Sequence, residues 1–208
     1  MEDSMRRFWT LLLVAMAWSG PVAAGNDLIV FVGEKLSVEK FEPKLEPGQR
    51  LMDAAFKAKF RVKQIVYGRY DGEIIDFEAY DHHGTPHFAQ FKHSLMFVSR
   101  ANGKLYHEKY QFYPVFRSAS GEWAGCGPTG PHEAKLREGI SVARPMVFAE
   151  KAFYPIASDM PREARIRWFP PEHFAIRDDK AFCLTGAPIR DLFEVKKRTV
   201  LKARGLFD

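Results

Sequence analysis

Phe56-Lys57-Ala58-Lys59-Phe60-Arg61-Val62-Lys63 alternates without a break, apolar on one side and cationic on the other. A period of two is the signature of a half-buried β-strand, because successive side chains point to opposite faces. The run ends in Tyr67-Gly68-Arg69-Tyr70-Asp71-Gly72, whose glycines and aspartate read as a turn. The next run, Ile74 to Tyr80, sets Ile75, Phe77 and Ala79 on one face and Asp76, Glu78 and Tyr80 on the other. Paired antiparallel, the two strands place Lys59 and Arg61 near Asp76 and Glu78. The basic stripe of Lys57, Lys59, Arg61 and Lys63 therefore reads as a solvated face with cross-strand ion pairs, and not as a polyanion track.

Working outward, Leu28 to Phe41 is a further strand, with Gly33 as a bulge or sharp coil inside it. Residues 42–53 hold Pro43, Pro47 and Gly48 among charges and form a loop. His93 to Arg100 is apolar at Leu95, Met96, Phe97 and Val98, and Asn102-Gly103 then supplies a strong hairpin signal. Lys104 to Phe116 returns as a long aromatic strand, and Ser118 to Gly121 turns once more before Trp123. Beyond Gly125 the character changes. Prolines interrupt anything long, His132 to Arg137 suits a short helix, and Pro161-Arg162-Glu163-Ala164 opens a helical turn. Phe193 to Gly205 reads as a last hairpin, with Phe193, Val195, Val200 and Leu201 as its apolar residues.

Five or so strands, the first carrying a glycine, point to a mainly β fold: a small, closed, OB-like barrel over residues 25–125. Residues 126–208 are expected to be an irregular C-terminal extension with short helices, packed on the barrel. Val30-Phe31-Val32-Gly33-Glu34-Lys35-Leu36-Ser37-Val38, then Phe60-Arg61-Val62-Lys63-Gln64-Ile65-Val66-Tyr67-Gly68, then Ser94-Leu95-Met96-Phe97-Val98 follow one another in an order that resembles the netrin-like domain. That domain is the OB barrel of the tissue inhibitors of metalloproteinases. The resemblance spans about residues 28–100 and implies the barrel and a general binding role. Metalloproteinase inhibition is not implied, because it needs an amino-terminal cysteine and a cysteine framework that this chain lacks.

The first residues carry the three parts of a secretory signal. Arg6 and Arg7 precede an apolar stretch from Phe8 to Trp18, Ser19-Gly20-Pro21 breaks it, and Val22-Ala23-Ala24 suits a signal peptidase. Residues 1–24 are thus expected to be a signal peptide cut after Ala24. The apolar run is about half the ~20 residues of a spanning helix, and no second one follows, so no transmembrane segment is expected after cleavage. The reading is a bacterial periplasmic or secreted protein. A formal charge of +5 allows contact with an anionic envelope surface or an envelope protein without demanding nucleic acid.

The chain has two cysteines, Cys126 and Cys183. In an exported protein such a pair reads first as a disulfide. The rival reading makes Cys126, within Gly125-Cys126-Gly127, the nucleophile of a hydrolase with His132 as its base.

Asp81-His82-His83-Gly84-Thr85-Pro86-His87 is the sharpest local feature. Asp81, His82, His83 and His87 are candidate ligands for zinc or copper, because neutral imidazole is the commonest transition-metal ligand and the Gly-Thr-Pro segment can fold His87 back. The other reading is a solvated polar turn, since adjacent histidines on a strand point to opposite faces. Tyr106, Tyr110, Phe112, Tyr113 and Phe116 form either a stacking surface or core, and core is the simpler account. Lys196, Lys197, Arg198, Lys202 and Arg204 suit phosphates of the envelope or a solvated face equally. No glycine-rich phosphate loop, nucleophile elbow or helical His-Glu-x-x-His element occurs, so no catalytic residues are assigned. Function reads as a non-enzymatic binding or accessory domain, with the metal-binding protein and the Cys126 hydrolase as alternatives.

Overall fold

A computed structural model describes residues 27–44, 48 and 50–208. The expected signal peptide, residues 1–24, lies outside the described residues. Five strands, β1 (Leu28–Phe41), β2 (Ala54–Tyr67), β3 (Ile74–Asp81), β4 (His93–Ala101) and β5 (Lys104–Pro114), form a closed ring in the order β1-β2-β3-β5-β4, with β4 returning to β1. Every pairing is antiparallel except the short parallel contact of β3 with β5 at Glu78 and Tyr106.

The alternation in β2 decides what fills the ring. Phe56, Ala58 and Phe60 point inward and are buried, while Lys57, Lys59 and Arg61 stay exposed. They meet Ile29, Phe31, Ile75, Phe77, Ala79, Met96 and Val98 in one apolar cluster. A 3₁₀ turn at His87–Gln90 closes one end by inserting Phe88, whose ring lies 5.9 Å from Phe60 and 6.1 Å from Phe77. Gly33 sits where β1 slips its register against β2, and a Cβ there would come within 2.7 Å of the Phe31 ring and 2.9 Å of Phe60. The two phenylalanines therefore need glycine at that position.

The expected ion pairing is half right. Lys59 lies opposite Asp76 at 3.6 Å, an exposed pair worth about 0–1 kcal/mol. Arg61 instead turns to Glu34 on β1 at 3.1 Å, joined there by Lys63 at 3.4 Å, and Glu78 takes Lys104 on β5 at 2.9 Å. In a closed ring each strand has two neighbours, and a one-sided hairpin pairing cannot show the second.

β1 and β4 are buried on both faces. Leu28, Val30, Val32, Leu95 and Phe97 point out of the ring into a second apolar cluster with Trp123, Ile189, Leu192, Phe193 and Leu201. Several of these residues belong to α3 (Ile189–Lys196), which runs on through a π-helical stretch at Lys197–Leu201. The segment expected as a closing hairpin is thus a helix. Ile189, Leu192 and Phe193 recur at the i, i+3, i+4 spacing that puts them on one helical face. A reading that starts at Phe193 omits the first two and sees alternation.

Between the ring and α3 the chain forms two small sheets and two short helices. In order these are β6 (Phe116–Arg117), β7 (Trp123–Cys126), α1 (Gly130–Arg137), β8 (Arg144–Pro145), β9 (Phe153–Pro155), α2 (Arg162–Trp168), β10 (Phe174–Arg177), β11 (Lys180–Cys183) and β12 (Thr185–Pro188). The sheets run β6-β7-β12-β8 and β10-β11-β9. The helices expected at His132–Arg137 and after Pro161 are α1 and α2. A disulfide joins Cys126 to Cys183, as expected, and so links the two sheets. No helix among the described residues is long and apolar enough to cross a membrane.

Candidate functional site

Outward positions of β2, β3 and β5 share one face, and there the polar side chains of alternating strands gather. Lys57 stands opposite Glu78 across the β2–β3 ladder, and Tyr80 follows two residues on. Tyr106 and Lys104 come from β5, which lies on the other side of β3. With Phe41 at the end of β1 and the segment Glu42-Pro43-Lys44, these residues line a groove of about 490 Å³. The Tyr80 and Tyr106 rings lie 6.4 Å apart and tilted by 33°. Lys57 sits 5.1 Å above the Phe41 ring.

The groove has two carboxylates, Glu42 in the segment after β1 and Glu78 on the strand face, and Glu78 is already engaged. Tyr80 Oη donates to its Oε2 at 2.7 Å and Lys104 Nζ to its Oε1 at 2.9 Å. Burial pushes the Glu78 pKa up, but those two hydrogen bonds and the lysine charges outweigh it and hold the carboxyl below its usual range. Burial, then the neighbouring carboxylate, raises the Tyr80 phenol. The groove thus offers two aromatic faces and ammonium groups around a carboxylate that is already paired.

The histidine segment lies elsewhere, at the end of β3. Asp81 is 6% exposed and its Oδ1 accepts the His83 backbone N–H at 2.8 Å, the geometry of an Asx turn. His82 Nδ1 lies 3.4 Å from Asp53, which also accepts from Lys109 at 2.6 Å. The His83 ring is 6.1 Å from that of Tyr110. His87 opens the 3₁₀ turn. The four expected ligands are therefore split. Asp81 and His87 line a separate cavity of about 180 Å³, together with Phe88, His107, Tyr110 and Phe112. Among the described residues, no group of three or more His, Cys, Asp or Glu side chains is placed to hold one metal ion.

His107 belongs to this second cavity, and its neighbours explain why. Between the Met96–Phe112 and Val98–His107 pairs, residues 108–111 of β5 lie opposite Phe97 alone. His107 Nε2 donates to the Gln111 carbonyl across this bulge at 2.9 Å. Tyr110, inside the bulge, has φ +67°. Composition does not show such a bulge, because no glycine or asparagine marks it.

The aromatic strand divides likewise. Tyr113 is buried in the outer cluster with α3, Phe112 packs partly covered against the cluster inside the ring, and Tyr106 and Tyr110 face the groove and the second cavity. The hydrolase alternative is corrected. No cysteine is free, so the Cys126 sulfur is not available as a nucleophile, and His132 is exposed on α1. A buried arginine, Arg137, lies beside the bridge instead and donates to the Cys126 carbonyl at 3.0 Å. No family model, curated protein or solved structure matches this chain.

Proposed function

We propose that the chain is an exported, non-enzymatic binding protein, periplasmic or secreted in a bacterium, built on an OB-type barrel, whose β2–β3–β5 groove takes an acidic glycan of the cell envelope. The observation that carries this reading is the Tyr80–Tyr106 pair flanked by Lys57 and Lys104 in an open groove. OB barrels use this strand face and the adjoining loops for oligosaccharides and oligonucleotides. The ring order β1-β2-β3-β5-β4 supports the OB assignment, and the netrin-like resemblance agrees with it at the level of the barrel. The disulfide supports export, since such bonds persist in oxidising compartments. Export in turn favours a glycan over nucleic acid.

Calorimetric titration of the purified protein with acidic, neutral and amidated oligosaccharides, and with single-stranded DNA, tests the reading. Acidic glycans are expected to bind with a salt-dependent affinity. Tyr106→Ala is expected to weaken binding about tenfold through lost stacking, and Lys104→Gln to flatten the salt dependence. Indifference to glycan charge, or full affinity in Tyr106→Ala, would remove the groove from consideration.

A further inference from the structure

We propose that the cavity between the 3₁₀ turn and the β5 bulge is a second binding site, one that takes a small organic ammonium group, with Asp81 as its counter-ion and Phe88, Phe112 and Tyr110 as its walls.

Asp81 is the first ground. It is 6% exposed, yet among the described residues its carboxylate accepts one hydrogen bond, from His83 N–H, and no ion pair reaches it. Buried carboxylates are ordinarily paired, because desolvating an unpaired charge is costly. Here the carboxylate lines a cavity instead of facing an arginine or lysine. A cation that enters supplies the missing partner.

The walls select what kind of cation. Aromatic faces attract alkylammonium ions through their quadrupoles, and three of the lining residues are aromatic. Hard metal cations need several oxygen ligands, and the cavity supplies one carboxylate. His107 adds an acceptor. Its Nε2 donates to the Gln111 carbonyl, so the neutral ring keeps Nδ1 bare. Burial holds this ring's pKa down to about 4, so it carries no competing charge at neutral pH. The volume, about 180 Å³, lies below the ~300 Å³ at which drug-sized pockets begin, which limits the occupant to a small group.

Tyr110 is the second ground. Its φ of +67° is a left-handed conformation that a bulky residue rarely adopts. Such strain persists only where neighbours over-determine it, and it clusters at ligand sites. The clamps are visible on both sides. Lys109 is held by Asp53, Glu108 by Ser99 and Arg204, and the Lys109 carbonyl accepts from Arg204 at 2.8 Å and from Gln111 at 3.1 Å. The result places the Tyr110 ring at the cavity.

Free ammonium ions and lipid headgroups share this chemistry, and one experiment separates them. Tetramethylammonium and ethanolammonium are titrated into isotopically labelled protein, with tert-butanol as the neutral shape control, while shifts at His107, Tyr110 and Phe112 are followed. Vesicles of phosphatidylethanolamine and of phosphatidylglycerol form the second arm. Saturable shifts with either ammonium but not with tert-butanol are expected. Asp81→Asn, which keeps the acceptor for His83 N–H, is expected to weaken binding about tenfold or more. Tyr110→Gly, which relieves the backbone and removes one wall, is expected to weaken it several-fold with the fold intact. Vesicle binding that free ethanolammonium competes away names the lipid as the source, and ammonium binding without vesicle binding names a soluble amine. No saturable shift with either ion, equal response to tert-butanol, or zinc binding that Asp81→Asn abolishes in the absence of any ammonium response would each overturn the proposal.

Discussion

The Cys126–Cys183 bridge joins the last residue of β7 to the last residue of β11, with Cα atoms 5.5 Å apart and a separation of 57 positions along the chain. It is the covalent link between two sheets that are each only three or four strands wide. Closing a loop of that length restricts the unfolded chain by about 4 kcal/mol in the chain-entropy account. Replacing both cysteines by alanine is expected to lower unfolding stability by that order, measured by urea denaturation with and without reductant. An unchanged midpoint would mean that the core shared with α3 holds the C-terminal region by itself.

Arg137 and Glu133 carry the second expectation. The guanidinium is 3% exposed, donates to Glu133 Oε1 at 2.6 Å and lies 5.4 Å from the Tyr113 ring centre. Glu133 Oε2 accepts from both the backbone N–H and the hydroxyl of Thr129, each at 2.7 Å. Glu133→Ala strands a buried cation and is expected to cost about 3–5 kcal/mol. Arg137→Met fills similar space without a charge and leaves Glu133 near solvent with its Thr129 bonds, so it is expected to cost less. Denaturation of the two variants gives the order directly, and the reverse order would show that the Cys126 carbonyl contact dominates.

Local periodicity made the ring legible. Strand β2, the Ile74 strand and the Asn102-Gly103 hairpin all follow from nearest-neighbour pattern, and both hairpin residues do adopt positive φ, +50° and +75°. The doubly buried strands show as unbroken apolar runs, Leu28 to Val32 and Leu95 to Val98, but nothing local says what covers their outer face. The answer lies more than ninety residues later in α3. The groove is half visible in the sequence, since alternation puts Tyr80 and Glu78 on the outward face, yet its β5 side depends on a parallel contact that no pattern encodes. Tyr110 was the least legible. The clamps around its left-handed backbone come from Asp53 and Arg204, far away in the chain, which hold Glu108 and Lys109, while its own sequence neighbourhood favours a plain strand.

Lys196 supplies the third expectation. Its ammonium lies 4.7 Å over the Tyr113 ring and forms no ion pair among the described residues, while Glu133, Arg137 and Arg204 act on it from nearby. Burial is the largest influence and holds its pKa down to about 8, below the ordinary lysine value. The folded state therefore binds fewer protons than the unfolded one between about pH 8 and 10.5, so this residue makes stability rise with pH across that window. Below it the buried charge is a net cost of about 3 kcal/mol. Lys196→Met keeps the stem and drops the charge. It is expected to raise the melting temperature at neutral pH and to flatten the alkaline rise relative to the parent protein. A melting temperature that falls instead would assign the ammonium a stabilising role over Tyr113.

His107 acts with the same sign at the acid end, where it too makes stability rise with pH. Burial lowers its pKa to about 4. The Gln111 carbonyl, Glu108 and Asp81 pull it up and Arg204 pushes it further down, but none of them outweighs burial. The unfolded chain takes up the proton near the ordinary histidine value of about 6.5, so stability is fully present above that pH and is lost as pH falls towards 4. The loss from this one ring amounts to at most about 3 kcal/mol. His107→Gln has no ring to protonate and is expected to show a shallower acid decline in urea midpoints taken from about pH 7 to pH 4.5. Protonation falls on the bare Nδ1 and leaves the Nε2–H bond to the Gln111 carbonyl in place, so an acid loosening of Tyr110, visible as line narrowing of its ring resonances before global unfolding, is expected only through expulsion of the charged ring from its buried place beside the bulge. Equal declines in the two proteins would move the acid sensitivity to carboxylates whose pKa values are held low by partners, Glu78 with Tyr80 and Lys104, and Asp53 with Lys109. The bulge would then be held by its clamps alone, with no part played by the charge state of the ring.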